Sequence, residues 1–143
     1  WRHIGGAGDW QVWRRIISGK QGQSLVEMAI ILPLLLLLVM GIIEFGRLFG
    51  SYLVMENLSR SAARFGVVGH SDQEIRDLIA DQNPFLRTDR LVIRISPGES
   101  LRDPGDPLTV RLEYTLDLMT PVMSDILPNP FPLSASCTMM VEK

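Results

Sequence analysis

Residues 22–27, GQSLVE, combine residue types that could take part in chemistry at a membrane surface: Lys20 precedes them and a long apolar run follows. Because glycine has no side chain, the backbone at Gly22 can be drawn extended into a protease cleft without steric obstruction. Cleavage after Gly22 would make Gln23 the new N-terminal residue and Glu27 the fifth residue. The pattern therefore predicts a processing site at the start of an apolar helix.

The same letters allow a second interpretation, in which they begin an ordinary helix. Ser24 and Glu27 have the spacing of a capping box, where the serine bonds forward and the glutamate bonds back. This interpretation explains Ser24 and Glu27 but says nothing about Gly22 or the basic residues before it. The two interpretations can both hold.

Catalytic chemistry has little support in this sequence, which contains two histidines and one cysteine. It has no phosphate-binding glycine loop before a helix and no histidine or cysteine cluster at metal spacing. The neighbouring carboxylates Asp72 and Glu74 are explained more simply by a capping box with Ser71. We therefore expect no enzymatic activity, no cofactor and no bound metal.

A transmembrane helix is predicted over residues 23–49, because no ionisable side chain lies between Glu27 and Glu44. Its Ile, Leu and Val residues contribute roughly −0.3 to −0.6 kcal/mol each, or about −3 to −7 kcal/mol together, to insertion into a bilayer. Pro33 removes one backbone donor and favours a kink, which a spanning helix tolerates. Both glutamates would then lie near the membrane interfaces, where a charge costs less than at the centre.

The charge distribution predicts the orientation of this helix. Residues 1–22 carry a net charge of +3, which leaves −5 on the remaining 121 residues. By the positive-inside rule, Arg14, Arg15 and Lys20 hold a basic leader, residues 1–22, in the cytoplasm and place everything after the span outside. The acidic remainder argues against nucleic-acid binding, which usually requires a basic patch.

Beyond the membrane the helix is predicted to continue over residues 50–68, ending at a Gly69 cap. Glu56 and Arg60 are four residues apart and can pair on its surface. Apolar residues recur every three or four positions on one face: Leu48, Tyr52, Met55, Leu58 and Ala62.

The last part, residues 69–143, is predicted to form a small α+β head. A short helix begins at the Ser71 capping box and ends before Pro84. Three segments have strand character: Leu91–Ser96, Leu108–Leu118 and Leu133–Val141. With no long helix between them, they predict a three-stranded antiparallel sheet whose apolar face the helices cover. An irregular connection between the second and third strands is indicated by Pro121, Pro128, Pro130 and Pro132.

The segment Gly22–Glu27, with Lys20 before it and the apolar run after it, resembles the processing site of type IV prepilins and pseudopilins, in which a membrane aspartyl protease cuts at the cytoplasmic face. Four segments after Lys20 look like the TadE-like pseudopilins of tight-adherence pilus systems: Leu32–Leu34, Gly41–Arg47, Ser61–Arg64 and Leu133–Glu142. The major pilin of those systems is much shorter and usually has tyrosine after the glutamate. Here Met28 follows Glu27, so a minor subunit is the better match.

The resemblance implies a minor pseudopilin that a prepilin peptidase cleaves after Gly22 and that is assembled into, or primes, an adhesive pilus. It assigns Glu27 to the register between subunits, where the freed α-amine of a neighbouring chain would neutralise a costly charge. It places the chain in the bacterial inner membrane, with membrane lipid, the peptidase, other pilins and the pilus assembly machinery as partners. The alternative is an uncleaved single-span envelope protein whose extracytoplasmic head binds another protein.

Helix packing is expected where the helix leaves the membrane. Gly46 and Gly50, four residues apart, would allow close approach of another helix or would soften the exit from the membrane. Glu44 and Arg47 are three apart and can pair, which explains why a charge is tolerated there. The residues assigned to helix packing are Pro33, Gly41, Glu44, Phe45, Gly46, Arg47 and Gly50.

Overall fold

The computed structural model describes residues 20–142, so most of the predicted leader, including Arg14 and Arg15, lies outside the described residues. The elements are, in chain order, α1 (Lys20–Val67), α2 (Asp72–Gln82), β1 (Leu91–Ser96), β2 (Pro107–Leu116), α3 (Pro121–Ile126) and β3 (Phe131–Met140). This order confirms the predicted α+β fold. The chain divides into two compact units, with the boundary between Met40 and Gly41.

In the first unit the described residues belong to α1. Every residue from Gln23 to Met40 is exposed in the single chain, although nearly all of them are apolar. The helix passes through Pro33 without interruption. Among the described residues, α1 is the one helix long and apolar enough to cross a membrane. A helix that is apolar on all sides needs lipid or other protein around it.

The second unit is built on an antiparallel sheet with strand order β1-β2-β3. The central strand, β2, alternates buried apolar residues with more exposed polar ones, as its sequence predicts. Its Leu112 lies opposite Ile93 of β1 and Ala135 of β3. α1 and α2 bury apolar side chains in this unit: Met55, Leu58, Ala62, Ala63, Val67, Ile75 and Ile79.

Gly66 is buried at a position on α1 that has no room for a side chain. A Cβ atom built there would lie 2.6 Å from Leu108 Cδ2 and 2.8 Å from Ile75 Cδ1. The glycine therefore allows the C-terminal end of α1 to approach both β2 and α2 closely.

The turn from α1 to α2 follows the predicted capping pattern. Gly69 has a φ of +99°, a conformation that glycine adopts without steric cost. The amide of Glu74 donates to Ser71 Oγ at 3.3 Å, and the amide of Ser71 donates to Glu74 Oε2 at 2.8 Å. This reciprocal bonding satisfies two amide donors at the start of α2.

The connection between β2 and β3 differs from the prediction of an irregular segment. It contains α3, a six-residue helix with Pro121 in its first turn. Proline is favoured there because its fixed φ suits a helix and its missing N–H would have no intrahelical acceptor. The three later prolines follow α3, and their number concealed this start signal.

Candidate functional site

The Gly22–Gln23 peptide bond lies inside α1, whose described residues begin at Lys20. Ser24 is therefore four residues inside the helix, and the prediction that it is the N-cap is wrong. The physical reason is that Lys20 and Gln21 are good helix formers, while a helical glycine costs only about 0.5–1 kcal/mol relative to alanine. The helix extends past the position where the capping pattern would begin it.

Glycine makes this bond easier to unwind than one between good helix formers. Gly22 is the third described residue of α1, and a helical glycine is less stable than alanine by about 0.5–1 kcal/mol. Drawing Gly22 into an extended conformation is therefore less costly than it would be for alanine. Cleavage after Gly22 stays a prediction.

Glu27 lies on an exposed part of α1, among apolar residues. Its Oε1 atom accepts a hydrogen bond from Gln23 Nε2 at 3.2 Å, across one helical turn. Both residues belong to the predicted processing site, so Glu27 contacts the residue that cleavage would make N-terminal. Its carboxylate is open to a group from another molecule.

Glu44 is 3% exposed and accepts three hydrogen bonds within the second unit. Its Oε1 atom accepts from Arg47 Nη1 at 3.2 Å, as the three-residue spacing predicts. Its Oε2 atom accepts from the amide of Met119 at 3.1 Å and from Thr120 Oγ1 at 3.3 Å. The carboxylate therefore fixes the segment before α3 to α1.

Sequence reasoning missed the contacts of Glu44 with Met119 and Thr120. These partners are 75 and 76 residues away along the chain, and no local spacing relates them. The available signal was the Thr120-Pro121 pair, which is typical of a helix start and predicts an ordered segment there. It does not indicate which side chain the segment would bind.

The other residues assigned to helix packing differ in what surrounds them. A Cβ atom on Gly41 would lie 3.4 Å from Met123 Cε, so the Met123 side chain of α3 lies close to Gly41. Cβ atoms on Gly46 or Gly50 would meet no atom within 4 Å. Phe45 is exposed and stacks on Phe49, with ring centroids 6.1 Å apart.

Gly46 and Gly50 lie in the wall of an open cleft of about 540 Å³. Phe85, Arg87 and Tyr114 from the head contribute to the same cleft. Within residues 20–142 no atom fills the space beside either glycine, which leaves room there for a helix of another molecule. No group of three or more His, Cys, Asp or Glu residues in the range 20–142 could hold a metal ion.

The described residues combine two features: an α+β head, and a long helix whose N-terminal part is apolar on all sides. Residues 22–64 match the family model described as TadE-like protein. The match confirms the resemblance to TadE-like proteins over this segment, which contains the apolar part of α1. No curated protein and no solved structure matches the chain.

Proposed function

We propose that the protein is a minor pseudopilin, which a prepilin peptidase cleaves after Gly22 and which then enters or primes an adhesive tight-adherence pilus. The observation that carries the proposal is α1 itself. It combines a glycine at the predicted cut, an exposed glutamate five residues later, and an apolar surface that the described residues 20–142 leave uncovered. The family match starts at the same Gly22, which supports this assignment. The role is structural rather than enzymatic.

The exposed apolar surface limits how such a subunit can leave the membrane. Thirteen large apolar side chains between Leu25 and Met40 are exposed in the single chain. At about 1.5–3 kcal/mol each, moving them into water would cost on the order of 20–40 kcal/mol. The helix must therefore pass from lipid directly into contact with the helices of other subunits.

Glu27 would then set the register of that contact. Cleavage creates an α-amine on Gln23, and the Glu27 carboxylate of an adjacent subunit is a suitable partner for it. Away from water, an unpaired charge is costly, so the two groups would favour one axial offset between neighbouring helices. In this arrangement the N-terminus begins in the cytoplasm and the head lies outside the bacterial inner membrane.

Processing is tested by the intact mass of the full chain purified from cells with and without an active prepilin peptidase. The proposal expects a chain that begins at Gln23 when the peptidase is present. Gly22→Val should block the cut because a β-branched side chain obstructs the extended backbone. Gly19→Val, in the same leader, is the matched control and should be processed normally.

A full-length chain in cells whose peptidase processes its other substrates would contradict the proposal. It would favour the alternative, an uncleaved single-span envelope protein with a protein-binding head. Equal processing of both glycine variants would remove Gly22 from the site.

A further inference from the structure

The segment Met119–Leu127, which contains α3, exposes several large apolar side chains. Met119 is 74% exposed, Val122 43% and Ile126 72%. Val122 and Ile126 are four residues apart, so they share one face of α3. Large apolar side chains that are exposed together on one face are typical of a contact surface.

This segment is fixed beside residues 41–45 of α1. Glu44 accepts hydrogen bonds from Met119 and Thr120, and Met123 lies against Gly41. On this part of α1, further apolar side chains are exposed: Ile42, Ile43 and Phe45. The exposed residues of the segment and of α1 therefore belong to neighbouring elements with the same apolar character.

The length of α1 indicates what this apolar surface meets. A bilayer core about 30 Å thick is crossed by about 20 helical residues. Counted from Leu25, the first apolar residue after the predicted cut, that length ends at Glu44. The residues that bind the Met119–Leu127 segment are therefore those that an anchored α1 places at the outer boundary of the hydrocarbon core.

We infer that the Met119–Leu127 segment lies in the outer membrane interface, with Met119, Val122 and Ile126 in contact with lipid. Amphipathic helices bind membranes in this way, with the apolar face towards the acyl chains and the polar residues at the headgroups. Ser124 and Asp125 are the polar residues of α3, and Asp125 is exposed. Glu44 holds the segment at this depth, and its own charge is tolerated because all three donors reach it.

This inference rests on the membrane anchoring by α1 in the proposed function and adds a second lipid contact. The head would be attached to the membrane surface through α3 as well as through the helix that spans it. Extraction of α1 into a pilus would have to release this contact. The Met119–Leu127 segment therefore resists extraction until the subunit gains other partners.

The test places an environment-sensitive fluorophore at single cysteines in the full chain, reconstituted in nanodiscs, on a Cys137→Ser background. Ile126→Cys reports on α3, and Leu36→Cys in the span is the lipid-exposed reference. Leu101→Cys is the matched control, because Leu101 is also 72% exposed but lies in another part of the head. We expect nitroxide-labelled lipid to quench the Ile126 probe severalfold more than the Leu101 probe.

Equal quenching by the labelled lipid at positions 126 and 101, with strong quenching at position 36, would overturn the inference. The anchoring by α1 would still stand. Absence of quenching at Leu36 would overturn the anchoring as well. The probe at position 126 could also report an apolar environment with several chains per disc and an aqueous one with a single chain. That result would identify a second copy as the occupant and contradict the lipid contact.

The part played by Glu44 is tested in the same discs. Glu44→Ala should reduce the quenching of the Ile126 probe severalfold because the segment loses its attachment to α1. Glu56→Ala removes a glutamate whose arginine partner is on the helix surface and should leave the quenching unchanged. Equal quenching in the two variants would overturn the role of Glu44.

Discussion

Two glutamates flank the apolar run of α1, and the folded chain uses them in opposite ways. Glu27 is exposed, and its carboxylate contacts Gln23, a residue of the same helical turn. Glu44 is buried and contacts Arg47, Met119 and Thr120. The same side chain is therefore available to another molecule at one end of the run and engaged within the head at the other.

Under the proposed function, this difference lets one helix serve both for assembly and for attachment of a head. Residues 23–40 present no buried face, so their apolar surface can exchange lipid for other helices. From Glu44 onward, α1 provides buried side chains to the head. Contacts with other subunits are expected to depend on the first part, and the stability of the head on the second.

The largest effect is expected from Glu27→Gln, which keeps a hydrogen-bonding side chain but removes the charge. Leaving a buried α-amine without its partner costs about 3–5 kcal/mol, so we expect incorporation into pili to fall at least a hundredfold while processing and head folding persist. The measurement is the amount of protein in sheared pili relative to the membrane fraction. Glu56→Gln is the control, and wild-type incorporation of Glu27→Gln would remove the assembly role from Glu27.

Glu44→Ala should instead destabilise the head. It leaves the Met119 amide and the buried Thr120 hydroxyl without their acceptor, and hydrogen bonds to charged groups contribute about 1.5–3 kcal/mol each. Because water can reach the site beside the part-exposed Arg47, we expect a loss of about 2–4 kcal/mol in the free energy of unfolding. Urea unfolding of the full chain in detergent micelles, with hydrogen exchange at the Met119 amide, measures it.

Glu56→Ala is the matched control for that experiment, since Glu56 pairs with Arg60 on the same helix but near its surface. An exposed pair of this kind contributes about 0.3–0.5 kcal/mol. Equal losses of unfolding free energy in the two variants would mean that the burial of Glu44 adds nothing to its contribution to stability. The comparison with Glu27 would then lose its physical basis.

The sequence predicted those features of α1 and the head that depend on local spacing. The Glu44–Arg47 pair and the Ser71 capping box join residues three positions apart, and the alternation of β2 follows from its two faces. The same local reasoning failed at Ser24, because a capping pattern does not prevent a helix from starting earlier. A match to a pattern shows compatibility with a cap, not its location.

The contacts of Glu44 with the Met119–Leu127 segment were beyond such reasoning. They depend on how the β2–β3 connection returns to α1, which is fixed by the packing of the whole sheet. The sequence placed both Glu27 and Glu44 near membrane interfaces and offered Arg47 as the partner of Glu44. What separates them is the presence of donors from a distant segment at one of the two positions.

Glycine substitutions extend the comparison from carboxylates to helix surfaces. Gly66→Ala would force a Cβ atom against Leu108 and Ile75, and we expect a loss of about 1–3 kcal/mol in the free energy of unfolding from overpacking. Gly46→Ala meets open space and should stabilise the isolated chain by about 0.5–1 kcal/mol through helix propensity. Urea unfolding in micelles measures both.

The same Gly46→Ala variant separates the two interpretations of that glycine. If another helix occupies the cleft beside Gly46, incorporation into pili should fall although the isolated chain is more stable. Normal incorporation with raised stability would favour a role in the exit from the membrane. A loss of stability in the isolated chain would contradict the open geometry at Gly46.

The smallest effect is expected at a third glutamate, Glu74, which is exposed like Glu27 but bonded within the chain like Glu44. Hydrogen bonds from Ser71, first its amide and then its hydroxyl, lower the pKa of Glu74 below its ordinary value of about 4.5. A lowered folded-state pKa means that the carboxylate stabilises the head above the unfolded pKa, and that this contribution is lost as the pH falls through the folded one. Glu74→Ala should therefore lower the melting temperature at pH 7 more than at pH 3. If the melting temperatures of the unmodified chain and of Glu74→Ala differed by the same amount at both pH values, the charge of Glu74 would contribute nothing to the capping box.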